Sequence, residues 1–382
     1  MASSTSVLRE ANDRPAEPPR AQSRGAVGGP APATRQRDSL LDNTKFLLIL
    51  LVFVGHAIRP GEKTGAGQTL YYWIYLFHMP AFVLISGYLS KSYDGAAKRV
   101  DKLVTSLAVP YVIFWGIYAL QLLSEGKDLP GGPLDPLWIT WFLVALLVWR
   151  LTVPVWRRLR WPVLSSLAIS LAAALVETDA ALGLTRILSL LPFFVVGLVL
   201  QPHHLELLRR PVVRVGSAFV VIATMVLTHT HLRGYSREWV YWRETLADRD
   251  FEFLPYGIPA RLTFLGLAFL LTAALLSLMP RRRVWFTRFG ALTLYVYLLH
   301  GLVIRVSTQA GWYEYTGQLL TGHTELLMNI TLAVVGTFLL CSPWVRKATR
   351  WAVEPKLDWI LRRRDGGEQA TASAVTEPAP GR

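Results

Sequence analysis

One hydrophobic helix near the start of the sequence carries side chains that can do acid–base chemistry. Residues 37–59 read RDSLLDNTKFLLILLVFVGHAIR. Since an α-helix turns by about 100° per residue, four of their polar side chains fall within about 60° of one another. These are Asp38, Asp42, Lys45 and His56. A neutral imidazole can take a proton from a hydroxyl at physiological pH, so His56 is the first candidate catalytic residue.

The apolar run of this helix is too short to cross a bilayer by itself. It extends from Phe46 to Ile58, whereas a membrane-spanning helix needs about 20 residues. Its polar face is therefore expected inside protein or in a water-filled cavity, where an ionisable residue indicates function. Asp42 lies about 21 Å along the helix from His56, so the group that orients the imidazole must come from another helix.

Two later helices each add a histidine to a polar stripe. The first stripe consists of Tyr71, Tyr75 and His78 at i, i+4 and i+7, and the second consists of Thr293, Tyr297 and His300. For either histidine alone, packing between helices with a hydrogen bond to a neighbouring hydroxyl is an equally good explanation. A shared structural role for three buried histidines is harder to find, so their convergence on one site is the hypothesis.

The composition is that of an α-helical membrane protein. Of the 382 residues, 52% are hydrophobic and 14 are Trp, and the mean hydropathy is +0.34. An ordinary soluble domain has a smaller apolar fraction. The net charge of +14 would suggest nucleic-acid binding in a soluble protein. Here the basic residues cluster in short loops between apolar helices, so we expect membrane lipids and no nucleic acid as partners.

Ten apolar stretches predict the architecture. They cover about 42–59, 70–90, 103–123, 136–154, 161–177, 184–201, 212–229, 257–279, 290–308 and 325–345. Every loop after an even-numbered stretch is basic, whereas the loops after odd-numbered stretches are mixed or acidic. Positive charge favours the cytoplasmic side, so both termini are predicted to be cytoplasmic. The expected fold is an all-α, polytopic integral protein of the cytoplasmic (plasma) membrane with about ten transmembrane helices.

The ends of the chain and its single cysteine bear on targeting signals, domain boundaries, disulfides and metal sites. Residues 1–36 lack the apolar core of a signal peptide and are expected to be a disordered cytoplasmic segment. Residues 37–350 form the predicted membrane domain, followed by a basic segment and a low-complexity tail at 351–382. Cys341 alone excludes an internal disulfide and a cysteine-built metal site, and no histidine cluster has metal-ligand spacing, so no metal is expected.

Polar regions are predicted at both ends of the bundle. Basic residues at the inner ends of the first three helices suit the phosphates of a nucleotide-like donor, although positive-inside charge meeting anionic lipid explains most of them equally well. They are Arg37, Lys45, Lys98, Arg99 and Lys102. At the outer end, the loop from Thr230 to Tyr256 interleaves aromatic rings with paired charges. Such a loop suits contact with a sugar or, with equal weight, an interfacial aromatic belt.

Several segments resemble the motifs of one enzyme family. The most specific are RDSLLDNTKFLLILLVFVGH (37–56) and YLFHMPAFVLISGYL (75–89). They are followed in order by KRVDKLVTSLAVPYVIF (98–114), WFLVALL (141–147), LPFFVVGLVL (191–200) and LYVYLLHGLVI (294–304). Over roughly residues 35–345, the chain resembles the membrane-bound acyltransferase family 3, particularly the branch of fucose 4-O-acetyltransferases and other sugar O-acetyltransferases.

The resemblance implies transfer of an acyl group, usually acetyl, from cytoplasmic acyl-coenzyme A to a hydroxyl at the outer face. His56 matches the motif histidine expected to act as general base or acyl carrier. The donor would be bound by the polar start of the first helix and the basic stretch before the third, namely Arg37, Asp42, Lys45, Lys98, Arg99 and Lys102. Lys102 stands where other branches have arginine, which weakens the expectation of bidentate phosphate binding there. Acyl-CoA is then a co-substrate rather than a tightly bound cofactor, and the acceptor is a carbohydrate or a glycosylated molecule.

An integral membrane O-acyltransferase is the leading hypothesis. In it the thioester enters from the cytoplasm, His56 deprotonates the acceptor hydroxyl, and His78 and His300 stabilise the developing oxyanion. A transporter or flippase of a glycan intermediate could use the same cavity, but it would be expected to show paired half-helices or an internal repeat, and the sequence shows neither. A non-catalytic scaffold leaves the buried histidines unexplained.

Overall fold

A computed structural model describes residues 38–58, 64–129, 131–176, 181–243, 245–246 and 254–355. Within these ranges the regular structure is entirely helical and no strand is present. The N-terminal segment 1–36, Arg37 and most of the predicted C-terminal segment lie outside the described residues.

Each of the ten predicted apolar stretches contains a helix. In chain order these are α1 (Ser39–Ile58), α2 (Gly65–Leu89), α3 (Ala97–Ser124), α4 (Trp138–Leu151), α5 (Pro162–Ala174), α6 (Leu184–Val199), α7 (Pro211–Thr230), α8 (Leu254–Leu278), α9 (Thr293–Gln309) and α10 (Gly322–Leu340). The helix α3 includes a π-helical turn at Val104–Ala108. A last helix, α11 (Pro343–Val353), follows, and short helices lie at Val153–Trp156, Pro202–Leu207, Arg237–Val240 and Trp312–Leu319.

Six of the described helices are long and apolar enough to cross a membrane. They are α1, α2, α3, α7, α8 and α10. The apolar helices α4, α5 and α6 are shorter, with lengths of about 20 to 24 Å against a hydrocarbon core of about 30 Å. The all-α membrane class is therefore confirmed, whereas the count of ten spans and the cytoplasmic position of both termini stay predictions.

The helix ends sort into two groups. At one end, the amide of Asn43 near the start of α1 donates to two carbonyls of the α8–α9 connection, 2.8 and 3.2 Å away. At the same end, the ammonium of Lys91 after α2 donates to the Leu200 carbonyl after α6. At the other end, Arg305 near the end of α9 pairs with Glu125 after α3, with nitrogen and oxygen 2.6 Å apart. When successive helices run in opposite directions, the start of an odd-numbered helix and the end of an even-numbered one lie at the same end of the bundle, as they do here.

The first turns of α1 lie inside protein, as the short apolar run predicted. The side chains of Asp42, Asn43 and Thr44 are buried. The Thr287 hydroxyl donates to the Asn43 side-chain oxygen at 2.7 Å, in addition to the two carbonyl contacts of the same amide. These hydrogen bonds satisfy the polar groups away from lipid and fix the start of α1 against the α8–α9 connection. The α1 helix also contacts α2, α9 and α10.

Helix α2 lies at the centre of the bundle, in contact with α1, α4, α6, α7 and α8. Its approach to α6 depends on two glycines. A Cβ atom on Gly87 of α2 would overlap the Phe194 carbonyl of α6, and one on Gly197 of α6 would overlap the Leu84 carbonyl of α2. The two backbones therefore touch, a close contact that glycine allows because it has no side chain.

Candidate active site

A cavity of about 1000 Å³ lies within the bundle. Its described lining includes all three predicted histidines: His56 from α1, His78 from α2 and His300 from α9. The remaining wall is aromatic and aliphatic around the histidines and charged at the rim. The aromatic and charged members are Tyr75, Trp138, Trp141, Tyr241, Trp242, Tyr297, Glu125, Lys127, Arg186, Glu238, Arg243 and Arg305. Histidines from three separate helices thus meet in one cavity.

His56 is held by groups from three other elements. Its Nδ1 atom lies 3.2 Å from the Tyr75 hydroxyl of α2. Its ring stands edge-on to Trp138, with ring centroids 5.3 Å apart, and lies 5.1 Å from the His300 ring. The imidazole is partly exposed and faces the cavity. The Tyr75 hydroxyl therefore lies where the sequence analysis expected an orienting group from another helix.

His78 and His300 are buried and make the same type of hydrogen bond. Nδ1 of His78 lies 2.8 Å from the Ile74 carbonyl, and Nδ1 of His300 lies 3.0 Å from the Val296 carbonyl. Because a carbonyl only accepts, Nδ1 carries the proton in each neutral ring and Nε2 is an acceptor. Within the described chain, Nε2 of His300 has no hydrogen-bond partner. A ligand hydroxyl in the cavity would satisfy such a group.

A cluster of tyrosines joins α2 to the loop between α7 and α8. The rings of Tyr71 and Tyr75 have centroids 4.3 Å apart, and those of Tyr75 and Tyr241 are 5.2 Å apart. The Tyr71 and Tyr241 hydroxyls hydrogen-bond to each other. The loop with interleaved aromatic and charged residues therefore supplies Tyr241 and its neighbour Trp242 directly to the cavity wall.

Ion pairs build the rim of the cavity. The Glu125 carboxylate accepts from Lys127 and from Arg305, each at 2.6 Å, and Arg243 lies 3.4 Å from Glu238. The hydrogen bond from Lys127, followed by those from Arg305 and a neighbouring glutamine, lowers the pKa of Glu125 to about 2. Because the pKa of Glu125 is lowered, its carboxylate stays ionised through the usual carboxyl range. The ion pair between the ends of α3 and α9 is therefore lost only as the pH falls toward 2.

Sequence reasoning missed several residues of the cavity wall, Trp138 and Arg186 among them. Trp138 has a φ of 51°, a sparsely populated conformation that costs on the order of 1 kcal/mol and persists where neighbours hold it. No sequence spacing relates it to His56. Arg186 did leave a signal, since it lies inside the apolar stretch 184–201 and a charge at membrane depth indicates function.

The residues predicted to bind the donor lie elsewhere. The set is Arg37, Asp42, Lys45, Lys98, Arg99 and Lys102, of which Arg37 is outside the described residues and the other five are absent from the described cavity lining. Asp42 and Lys45 pair with each other at 2.8 Å, at the opposite end of α1 from His56. Arg99 lies 3.4 Å from Asp94 at the exposed start of α3. Donor binding by this set stays a prediction.

Comparison with known families identifies the class of protein. The family profile described as an acyltransferase domain, Acyl_transf_3, matches residues 38–344, which is most of the chain and all of the helices that build the cavity. The chain therefore belongs to the acyltransferase family 3, the family that its motifs resemble. The helices and the family together define an acyltransferase enzyme of the membrane.

One curated relative extends the comparison. The chain is similar to the nodulation protein NolL of Mesorhizobium japonicum, with 31% identity over 204 residues that cover 47% of this chain and 52% of the relative. The match thus spans about half the length of the curated relative. No solved structure matches the chain.

Proposed function

We propose that the protein is an integral O-acyltransferase of the cytoplasmic membrane. It moves an acyl group, in the first instance acetyl, from cytoplasmic acyl-CoA to a hydroxyl of a glycan or another acceptor that is membrane-associated or outside the cytoplasm. The observation that supports this most directly is the meeting of His56, Tyr75 and His300 at one cavity, with an imidazole nitrogen of His56 3.2 Å from the Tyr75 hydroxyl.

In this mechanism His56 is the general base. The acceptor hydroxyl gives its proton to the imidazole while its oxygen attacks the thioester carbonyl carbon, so a C–O bond forms. The C–S bond then breaks, and the imidazolium returns the proton to the coenzyme A sulfur. The mechanism requires the tautomer in which Nδ1–H donates to the Tyr75 oxygen 3.2 Å away, so that Nε2 is the nitrogen that takes the proton.

The histidines beside His56 are proposed to position the acceptor. Nδ1 of both His78 and His300 faces a backbone carbonyl, so each neutral ring offers an acceptor nitrogen to the cavity. An oxyanion needs donors instead, and either ring could donate from Nε2 only after taking a second proton. Binding of a substrate hydroxyl therefore suits the neutral rings better than the oxyanion role that the sequence suggested.

Replacement of His56 tests the proposal. We expect His56→Ala to reduce acyl transfer by about 100-fold or more, because a positioned general base contributes that much. The measurement is transfer from labelled acetyl-CoA to envelope glycans by the purified protein in nanodiscs, with thermal unfolding to verify the fold. The matched control is His323→Ala, since His323 is exposed at the start of α10. Unchanged transfer by His56→Ala would remove His56 from the mechanism.

A transporter or flippase could use the same cavity, and a binding measurement separates the two functions. Only the acyltransferase is expected to be stabilised by coenzyme A, because a ligand that binds the folded state raises the free energy of unfolding. Thermal unfolding is compared with and without coenzyme A, with adenosine monophosphate as the control nucleotide. Equal melting temperatures at millimolar coenzyme A would favour the transporter.

A further inference from the structure

The charges of the described residues around the cavity do not balance. The described lining has four cationic side chains and two carboxylates, with the histidines taken as neutral. Both carboxylates are already paired, Glu125 with Arg305 and Lys127, and Glu238 with Arg243. Among the described lining residues, the cation left over is Arg186.

Arg186 lies in the first turn of α6 with unused hydrogen-bond donors. Its guanidinium carbon is 4.9 Å from the centroid of the Trp141 ring. No carboxylate of the described chain lies within ion-pair distance, and the buried Nε atom has no hydrogen-bond partner there. The contact with Trp141 covers one face of the guanidinium, and its in-plane N–H groups make no hydrogen bond to the part of the chain that the structure describes. A ligand in the cavity that carries acceptor oxygens would satisfy these groups.

The position of Arg186 indicates which substrate supplies those acceptors. Arg186 lines the same cavity as His56, Tyr75 and Tyr241, together with the paired Glu238 and Arg243 of the α7–α8 loop. Asp42 and Lys45, two of the residues predicted to bind the donor, lie near the start of α1, about 16 to 21 Å along the helix from His56. With the donor phosphates placed at that end of α1, as predicted, a group that reaches Arg186 belongs to the acceptor.

We propose that the acceptor carries a carboxylate or phosphate group and that Arg186 binds it. This inference rests on the proposed function, because it assigns a substrate class to the same cavity. A planar guanidinium binds two oxygens of such a group in a bidentate manner, and a lining with two surplus positive charges favours an anionic ligand over a neutral one. The acceptor is then an acidic sugar or a sugar phosphate.

Matched sugars test the inference on the purified full chain in nanodiscs. The probes are methyl β-D-glucuronide, which carries a carboxylate, glucose 6-phosphate, which carries a phosphate, and methyl β-D-glucoside, which is neutral. We expect at least one anionic sugar to raise the melting temperature at millimolar concentration and the neutral sugar to have no effect. Arg186→Gln should abolish this shift, and Arg186→Lys should retain part of it. Arg214→Gln, which removes a positive charge from an exposed site on α7, should keep the shift.

Two results would overturn the inference: no stabilisation of the wild type by either anionic sugar, or an equal shift in the wild type and Arg186→Gln.

Transfer kinetics add a second readout. Binding of an acceptor anion predicts that Arg186→Gln raises KM by about tenfold or more for anionic acceptors only. Stabilisation of the oxyanion by Arg186 would instead lower kcat for every acceptor, and that result would also overturn the inference.

The proposed acyltransferase function and the proposed anion site at Arg186 can each be rejected without rejecting the other. Arg186-dependent binding of an anionic sugar without any acyl transfer would retain the anion site and reject the acyltransferase. Conversely, His56-dependent transfer to a neutral sugar with no effect of Arg186→Gln would retain the enzyme and reject the anion site.

Discussion

The contact between His56 and Tyr75 decides which imidazole nitrogen meets the substrate. A histidine that acts as base must hold its proton on one nitrogen and present the other to the acceptor hydroxyl. Tyr75 occupies Nδ1 at 3.2 Å, while Trp138 packs edge-on against the same ring at 5.3 Å. One hydrogen bond and one aromatic contact therefore fix the orientation that the proposed mechanism needs.

We predict that Tyr75→Phe lowers kcat by about tenfold, because the loss of one hydrogen bond of about 1.4 kcal/mol loosens this orientation. The aromatic ring is kept, so its packing against Tyr71 remains, and the KM for acetyl-CoA should be unchanged. Steady-state kinetics of the purified protein measure both values. Tyr72→Phe is the control, since its hydroxyl donates to the Tyr235 carbonyl at 2.9 Å outside the described cavity lining. A wild-type kcat in Tyr75→Phe would show that another group orients His56.

The packing of α2 on α6 sets the width of the cavity. The α2 helix supplies Tyr75 and His78 to one wall, and α6 supplies Arg186. Their backbones touch at Gly87 and Gly197, so no side chain separates the two helices there. Any residue with a Cβ atom at either position moves the walls apart.

We predict that Gly87→Ala lowers the free energy of unfolding by about 1–3 kcal/mol, the usual cost of overpacking a close contact. The new Cβ atom would overlap the Phe194 carbonyl, which is backbone and cannot rotate away. The measurement is thermal unfolding in nanodiscs. Gly116→Ala in α3 is the matched control, because its Cβ atom meets nothing within 4 Å. That control should be neutral or slightly stabilising, since glycine is a poor helix former. Equal melting temperatures for both variants would contradict the contact.

The positions of the helices along the chain could be predicted from the sequence, but most contacts between side chains of different helices could not. An apolar run bounded by charge is a local property, so every predicted stretch contains a helix. The polar stripes likewise placed His56 and His300 on inward faces, and their rings meet at 5.1 Å. Tyr75 as the partner of His56, and Trp138 and Arg186 as cavity residues, depend on how separate helices pack. No spacing along the chain contains that information.

At the scale of the molecule, helix lengths and loop charges favour different topologies. The helices α4, α5 and α6 reach only about 20 to 24 Å, short of the bilayer core of about 30 Å, whereas the basic loops alternate as ten spans require. The cavity reconciles the two observations. Helices whose ends are covered by protein or line a water-filled space need not match the full thickness of the lipid. In this fold α5 packs on α6, and α4 packs on α2 and α6.

We therefore predict that α4 and α5 cross the membrane despite their length, and single-cysteine labelling checks this. With Cys341, the sole cysteine, replaced by serine, Asp128→Cys before α4 and Thr178→Cys between α5 and α6 should react with a membrane-impermeant maleimide on intact cells. Arg158→Cys between α4 and α5 should react only after permeabilisation. The Cys341→Ser protein alone is the unlabelled control, and each variant should keep the coenzyme A shift. External labelling of Arg158→Cys would mean that α4 does not cross, and protection of Thr178→Cys would mean that α5 does not. Either result would leave an arrangement with fewer spans.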